Sequence, residues 1–264
     1  MTVSGAVLFA GAAPMASDLA EALAEEFADG ASAQTLDIPG KGKVDAAVVS
    51  TGLVRAMVAG NAVSLDAAAA LRACHPVWWQ GQTDAVAQHR SHVVITVLHP
   101  GEVPEPRAQA LQEATIWSVI ATVVAGLPGA VAVHSAQASA VYPADAYARG
   151  FSAAVESKQV PADLWTSVWV MDEPDGTHSA YTLGLDAFGA RDLVIEHSRR
   201  PPSDLFRFLA DTARYLITTG AVVEAGQTVG PTPSQQHPVR ERHSAIHDAM
   251  VLEIGDEHRP RAGS

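Results

Sequence analysis

The chain has 264 residues, 48% hydrophobic and only 17% charged; such a composition buries its own core without metal or disulfide and excludes a disordered chain. Its 29 acidic and 17 basic side chains leave a net charge of −12, which repels phosphate backbones and argues against nucleic acid as a partner. One cysteine, Cys74, excludes an internal disulfide and suits a reducing, cytoplasmic compartment.

The opening apolar stretch lacks the basic flank of a secretion signal, since the first basic residue is Lys41. It reads instead as a strand over 5–10. A helix follows, with Ser17 as its cap, Asp18 and Glu21 in its first turn, an apolar stripe at Leu19, Leu23 and Phe27, and a stop near Gly30. Extended segments are expected over 33–38, 46–50 and 53–59, with a tight turn at Gly60-Asn61. An alanine-rich helix runs from Ser64 to about Cys74. Residues 75–90 hold Pro76, Gly81 and the pair Trp78-Trp79, and read as a junction between an N-terminal βαββ-type unit (1–80) and a C-terminal unit (81–256).

The clearest strand is 92–98, apolar on both faces and so central in a sheet. After a loop over 100–106 comes a long helix over 105–125, with Ile116, Val119, Ile120, Val123, Val124 and Leu127 on one face. Gly126 to Gly129 interrupts the apolar run 116–133, which is too short on either side to span a bilayer. Further on come a strand over 130–135, a short helix over 144–155, a strand over 164–171 with Trp165 and Trp169 on one face, a turn over 172–176, and strands over 180–187 and 193–197. Pro201-Pro202-Ser203-Asp204 starts a helix whose inner stripe is Leu205, Phe208, Leu209, Thr212 and Leu216, and Gly220 ends it. Pro238 and the Arg-Glu-Arg run after it suggest a loop. The last strand is 249–254, and 257–264 is a mobile tail. Runs of strands joined by hairpins predict an α+β protein with mainly antiparallel sheets, arranged as two ferredoxin-like (split βαβ) units.

Several segments together resemble a known family: HRSHVVITV (89–97), YTLGLDAFGARDLVIE (181–196), ARYLITTGAVVEAGQTVG (213–230) and MVLEI (250–254). They are similar to the bacterial family called domain of unknown function 4261. Gly184-Leu185, Phe188-Gly189, Tyr215-Leu216 and the turn Gly226 to Gly230 stand at its motif positions. Gln227 replaces the usual Asp of that turn, and Asp192 alone represents an acidic pair, with Val194 in the second place. The resemblance extends from about residue 89 onward. It implies a fold and carries no activity, because glycines and apolar residues specify turns and packing.

Among groups that carry chemistry, His89 and His92 stand at the mouth of strand 92–98, and His134 and His99 near strand ends. Convergent imidazoles would bind a metal or serve as acid and base; otherwise they hydrogen-bond backbone groups at a sheet edge. His243 and His247 have the spacing of a helical metal pair, but Ser244 stands where a zinc hydrolase needs Glu, which favours a solvated loop. Cys74 reads as a buried inert thiol. No phosphate loop, dinucleotide fingerprint or serine elbow is present. Trp78 and Trp79 are the binding candidates, because neighbours on an extended loop cannot both point inward.

These readings lead to a cytoplasmic, non-catalytic module that binds another protein, of accessory or immunity-like type. The alternatives are a metal- or His-dependent hydrolase using His89, His92 and His134, and a small-molecule sensor with a cleft between its units. No cofactor, metal or membrane is expected, and the oligomeric state stays open.

Overall fold

The computed structural model describes residues 2–52, 54–99, 105–232 and 234–255. It divides into two compact units, Met1–Leu164 and Trp165–Ser264. Each holds a mainly antiparallel sheet with helices, so the α+β class holds. The loop expected over 100–106 and the tail over 257–264 fall largely or wholly outside the described residues.

In the first unit the strands are β1 (Thr2–Phe9), β2 (Ala31–Ile38), β3 (Gly42–Thr51), β4 (Val54–Asn61), β5 (Ser91–Leu98), β6 (Ala130–Ser135) and β7 (Ala140–Pro143). They form one sheet in the order β2-β3-β4-β5-β1-β6-β7, with every neighbouring pair antiparallel. Val93, Ile95 and Val97 make β5 central, between β4 and β1. A split βαβ unit has one strand between the two that flank its helix. Here β3, β4 and β5 separate β1 from β2, so the strands flanking the first helix do not form such a unit, whereas β5 and β6, which flank the helix Pro106–Ala125, have β1 alone between them; two complete ferredoxin-like units are not established. Residue 80 is not a boundary either: β4 and β5, on either side of it, pair in one sheet.

Helix α1 (Ala16–Phe27) buries Leu19 and Leu23 as its stripe predicts. Its start is held by Asp18, whose carboxylate accepts the Met15 N–H at 3.2 Å, and not by Ser17. Asp66, not Ser64, caps α2 (Ala67–Arg72), accepting from the amides of Ala68 and Ala69. Gly60-Asn61 continues β4 instead of turning. The glycine is needed for approach: a Cβ there would lie 2.7 Å from the Pro14 carbonyl oxygen.

The segment read as a junction forms two short helices, α3 (Pro76–Trp79) and α4 (Asp84–Ala87). With α2 they bury Ala70, Cys74, Trp79 and Val86 against Ala6, Leu8, Ala132 and Val141. Helix α5 (Pro106–Ala125) packs on β1, β5 and β6. Its inner face is Ala110, Glu113, Ala114, Trp117, Ser118, Ile120, Ala121 and Val124, whereas Ile116, Val119 and Val123 are only half-buried. The helix is apolar nearly all round, so the sheet decides which side faces inward. Gly5 leaves the space that the Trp117 ring fills, and a Cβ there would meet that ring at 2.4 Å. Helix α6 (Ala144–Glu156) packs beside α5, with Tyr147 Oη hydrogen-bonded to Ser118 Oγ at 2.9 Å. A short turn, α7 (Ala162–Trp165), lies at the boundary.

In the second unit β8 (Ser167–Asp172), β9 (His178–Leu183), β10 (Leu193–Ser198), β11 (Thr228–Thr232), β12 (Gln235–Ser244) and β13 (Ala249–Ile254) take the order β11-β12-β13-β10-β9-β8. Strands β10 and β13 are parallel. Helix α8 (Pro202–Thr219) packs on β8 and β9 and buries Leu205, Phe208, Leu209, Thr212 and Leu216. Gly220 closes it in the left-handed conformation, φ 70°. The Arg-Glu-Arg run belongs to a strand, not a loop, because its charges find partners: Arg242 bonds Glu196 and Arg191 bonds Glu241. Trp165 lies in α7, stacked on Phe188 at 5.5 Å, and Trp169 lies in β8, so they share no strand face.

Candidate functional site

The three candidate histidines do not converge. His92 stands opposite Leu8 and His134 opposite Ala6, on either side of β1. They share a sheet face with a strand between them, about 12 Å apart by two strand spacings and a two-residue offset along the strand. The His89 ring is consumed by the backbone: Nδ1 bonds the Val86 carbonyl at 2.6 Å and Nε2 accepts from the Leu65 amide at 2.9 Å. His92 Nδ1 bonds the Val63 carbonyl at 2.8 Å. Burial lowers the His92 pKa, the Val63 carbonyl opposes this and His89 adds to it; burial alone lowers that of His134. Among the described residues no three His, Cys, Asp or Glu side chains gather to hold a metal.

The tryptophan pair also faces inward. Trp79 is buried and donates from Nε1 to the Val141 carbonyl at 2.7 Å. Trp78 packs edge-on to Tyr142, ring centres 5.6 Å apart. The expectation of an outward ring rested on an extended loop. In the helical turn of α3, successive residues are about 100° apart and both can reach a core.

Two other places hold polar groups in a defined geometry. The first is a cleft of about 700 Å³ lying wholly within the first unit. The loop from Gly11 to Ser17 forms one wall, Ala33, Gln34 and Thr35 of β2 with Asp45 of β3 form another, and Gly60, Ala62, Arg90 and Ser91 complete it. Small side chains make this space: glycine and alanine supply much of the lining, and Gly60 lets the loop sit low. Ser91 Oγ fixes that loop by donating to the Gly11 carbonyl at 2.7 Å. Thr35 Oγ1 donates to Asp45 at 2.6 Å.

The second is a connected set at one end of the second sheet. Asp192 is buried, and its carboxylate accepts from Thr182 Oγ1 at 2.7 Å, the Leu185 amide at 3.2 Å and the Gly184 amide at 3.3 Å. Burial raises its pKa, against these donors and the nearby His247. The Thr182 carbonyl bonds His247 Nε2 at 2.7 Å, and Ser244 Oγ bonds His247 Nδ1 at 2.8 Å. His243, by contrast, is exposed on β12, so the two histidines of the pair part company. Reading the sequence singles out Asp192 and His247 but misses Thr182 and Ser244 as partners. The one local signal is the Ser-x-x-His spacing across the turn between β12 and β13.

Fold and site thus define an α+β protein of two sheet-bearing units whose second unit holds a hydrogen-bonded Asp–Thr–His–Ser network. Residues 181–255 match the model of the family described as Domain of unknown function (DUF4261). The match takes in β10 to β13 and all four network residues, and leaves the 89–97 segment in the first unit outside it. No curated protein and no solved structure matches the chain.

Proposed function

We propose that this is a protein-binding module of the bacterial cytoplasm that receives an extended segment of its partner along the outer edge of β2. One observation carries the reading. Strand β2 ends its sheet, pairs with β3 over eight consecutive residues without a bulge, and leaves Ser32, Ala33, Gln34 and Thr35 exposed. Proteins usually blunt such edges with shortness, proline, charge or a bulge. The other edges follow that rule: β7 has four residues and ends on Pro143, β11 holds Pro231 and a register shift, and β8 ends on Asp172. Strand β2 carries Asp37 as its single charge. Along its roughly 27 Å, at 3.4 Å per residue, alternate amides and carbonyls face away from β3 and would pair with an added strand. Ala33 and Thr35 also wall the cleft, so alternate side chains of the added strand would stand beside its mouth and supply selectivity. The single buried cysteine supports the cytoplasmic placement.

The test is selection of random displayed peptides on the whole chain, repeated with Gln34→Pro and Thr35→Pro. Neighbouring amides point to opposite sides of a strand, so one of the two prolines removes only an outward donor. That variant should melt like the parent and lose the selected peptides. Peptides that bind both variants as they bind the parent would remove β2 as the site.

A further inference from the structure

The geometry points to a second, chemical site at the turn between β12 and β13: Ser244, with His247 as its base, accepts acyl groups from short-chain esters. It is independent of the edge-strand reading and lies in the other unit. The arrangement that activates a serine is a hydroxyl within hydrogen-bond reach of an imidazole whose other nitrogen is held by a third group. All three parts are present. Ser244 Oγ is 2.8 Å from His247 Nδ1, and His247 Nε2 is 2.7 Å from the Thr182 carbonyl. A carbonyl only accepts, so Nε2 carries the proton. Nδ1 is then left as the acceptor and Ser244 donates to it.

The support behind the base is deeper than one bond. The Thr182 hydroxyl is tied to the buried Asp192 carboxylate, and the Tyr181 ring packs edge-on against the imidazole, centres 5.8 Å apart. These fix the ring plane, and the nearby carboxylate favours the imidazolium that forms when the serine is deprotonated. In this proposal the amides of Ala245 and Ile246, which follow the serine in an exposed turn, serve as the donors to the developing oxyanion. Ile246 and Met250 are exposed apolar neighbours on the same hairpin, suited to a short acyl chain. Ser244 itself is only 6% exposed, at the foot of an exposed turn, which is why the inference is limited to small esters.

The chemistry balances without a further reagent except water. Ser244 Oγ forms a bond to the ester carbonyl carbon while its proton passes to His247 Nδ1. The bond to the alcohol oxygen breaks and that oxygen takes the proton. Water then attacks the acyl-serine, again giving a proton to Nδ1, and the carboxylic acid leaves as Ser244 recovers the proton.

Two probes test this on the full chain: a fluorophosphonate, read by peptide mass mapping, and p-nitrophenyl acetate, read by phenolate release. One adduct is expected at Ser244, absent in Ser244→Ala and formed at least tenfold more slowly in His247→Gln. No adduct at Ser244, or equal rates with and without the imidazole, would overturn the inference. If His247→Gln does not fold, Ser244→Cys supplies the second measurement. Its alkylation by iodoacetamide at pH 7 should outpace that of the same protein in denaturant, and alkylation no faster than in the unfolded chain also overturns it.

Discussion

The indole nitrogen of Trp79 donates to the carbonyl of Val141 at 2.7 Å, joining a four-residue helix to a strand 62 residues further on. The bond closes the layer that α2, α3 and α4 form over the first sheet. Replacing Trp79 with leucine removes that bond from a buried place and opens a void. The expected cost is about 2–4 kcal/mol, read as a lower denaturant midpoint. A stable Trp79→Leu protein would mean that the layer is not part of the cooperative core.

Gly5 should be among the least replaceable positions. A Cβ there would lie 2.4 Å from both the His134 carbonyl oxygen and the Trp117 ring. Gly5→Ala is expected to destabilise the first unit by about 2 kcal/mol or more, since overpacking a rigid core forces backbone shifts. A thermal melt decides it, and an unchanged midpoint would contradict the close packing of α5 on β1.

Removing the carboxylate of Asp192 strands three donors at once: the Thr182 hydroxyl and the amides of Gly184 and Leu185. Asp192→Ala should therefore cost about 2–4 kcal/mol. Its pH dependence has a distinct sign. Burial raises the folded pKa above the ordinary 3.8, so the native state holds the proton more tightly than the unfolded one. That contribution is complete below 3.8 and is lost as pH rises through the folded value. The stability difference between the parent and Asp192→Asn should shift against the parent over that rise, and a difference flat with pH would count against the burial of this group.

Histidine protonation acts in the opposite direction. His92 and His134 have folded pKa values lowered by burial from the ordinary 6.5, so unfolding takes up protons as pH falls below that value. Stability should decline from pH 7.5 toward pH 5. Replacing both residues with glutamine should flatten the decline, and an equal slope in the double variant would place its source elsewhere.

The Cys74 thiol, pushed up to about 11 by burial, should resist alkylation at pH 8 in the native protein and react at once in denaturant. The thiol points into the helix layer, where Sγ donates to the Ala70 carbonyl at 3.4 Å. Rapid native labelling would mean that α2 opens readily.

Much of this fold can be read from local pattern. Helix α8 is legible from end to end, because Pro202 and the apolar stripe lie within it and Gly220 follows it directly. The length of α5 is legible but its inner side is not, since Gly5, which selects Trp117 to face the sheet, is far away in the chain. Strand β12 hides behind its charges, whose partners Glu196 and Arg191 come from outside it. The helix holding Trp78 and Trp79 is too short to show a period. The network in the second unit is harder still: Thr182 sits within a strand and offers no local sign that both its carbonyl and its hydroxyl hold other side chains.

The placement of β13 has a further consequence for how the second unit comes into being. It is the last strand of that sheet in sequence, yet it lies between β12 and β10. Until residues 249–254 leave the ribosome, the hairpin of β11 and β12 has no route to the strands made before it. Assembly of this half therefore waits for β13, and until it arrives the borders of β10 and β12 that it will cover both stay unmatched.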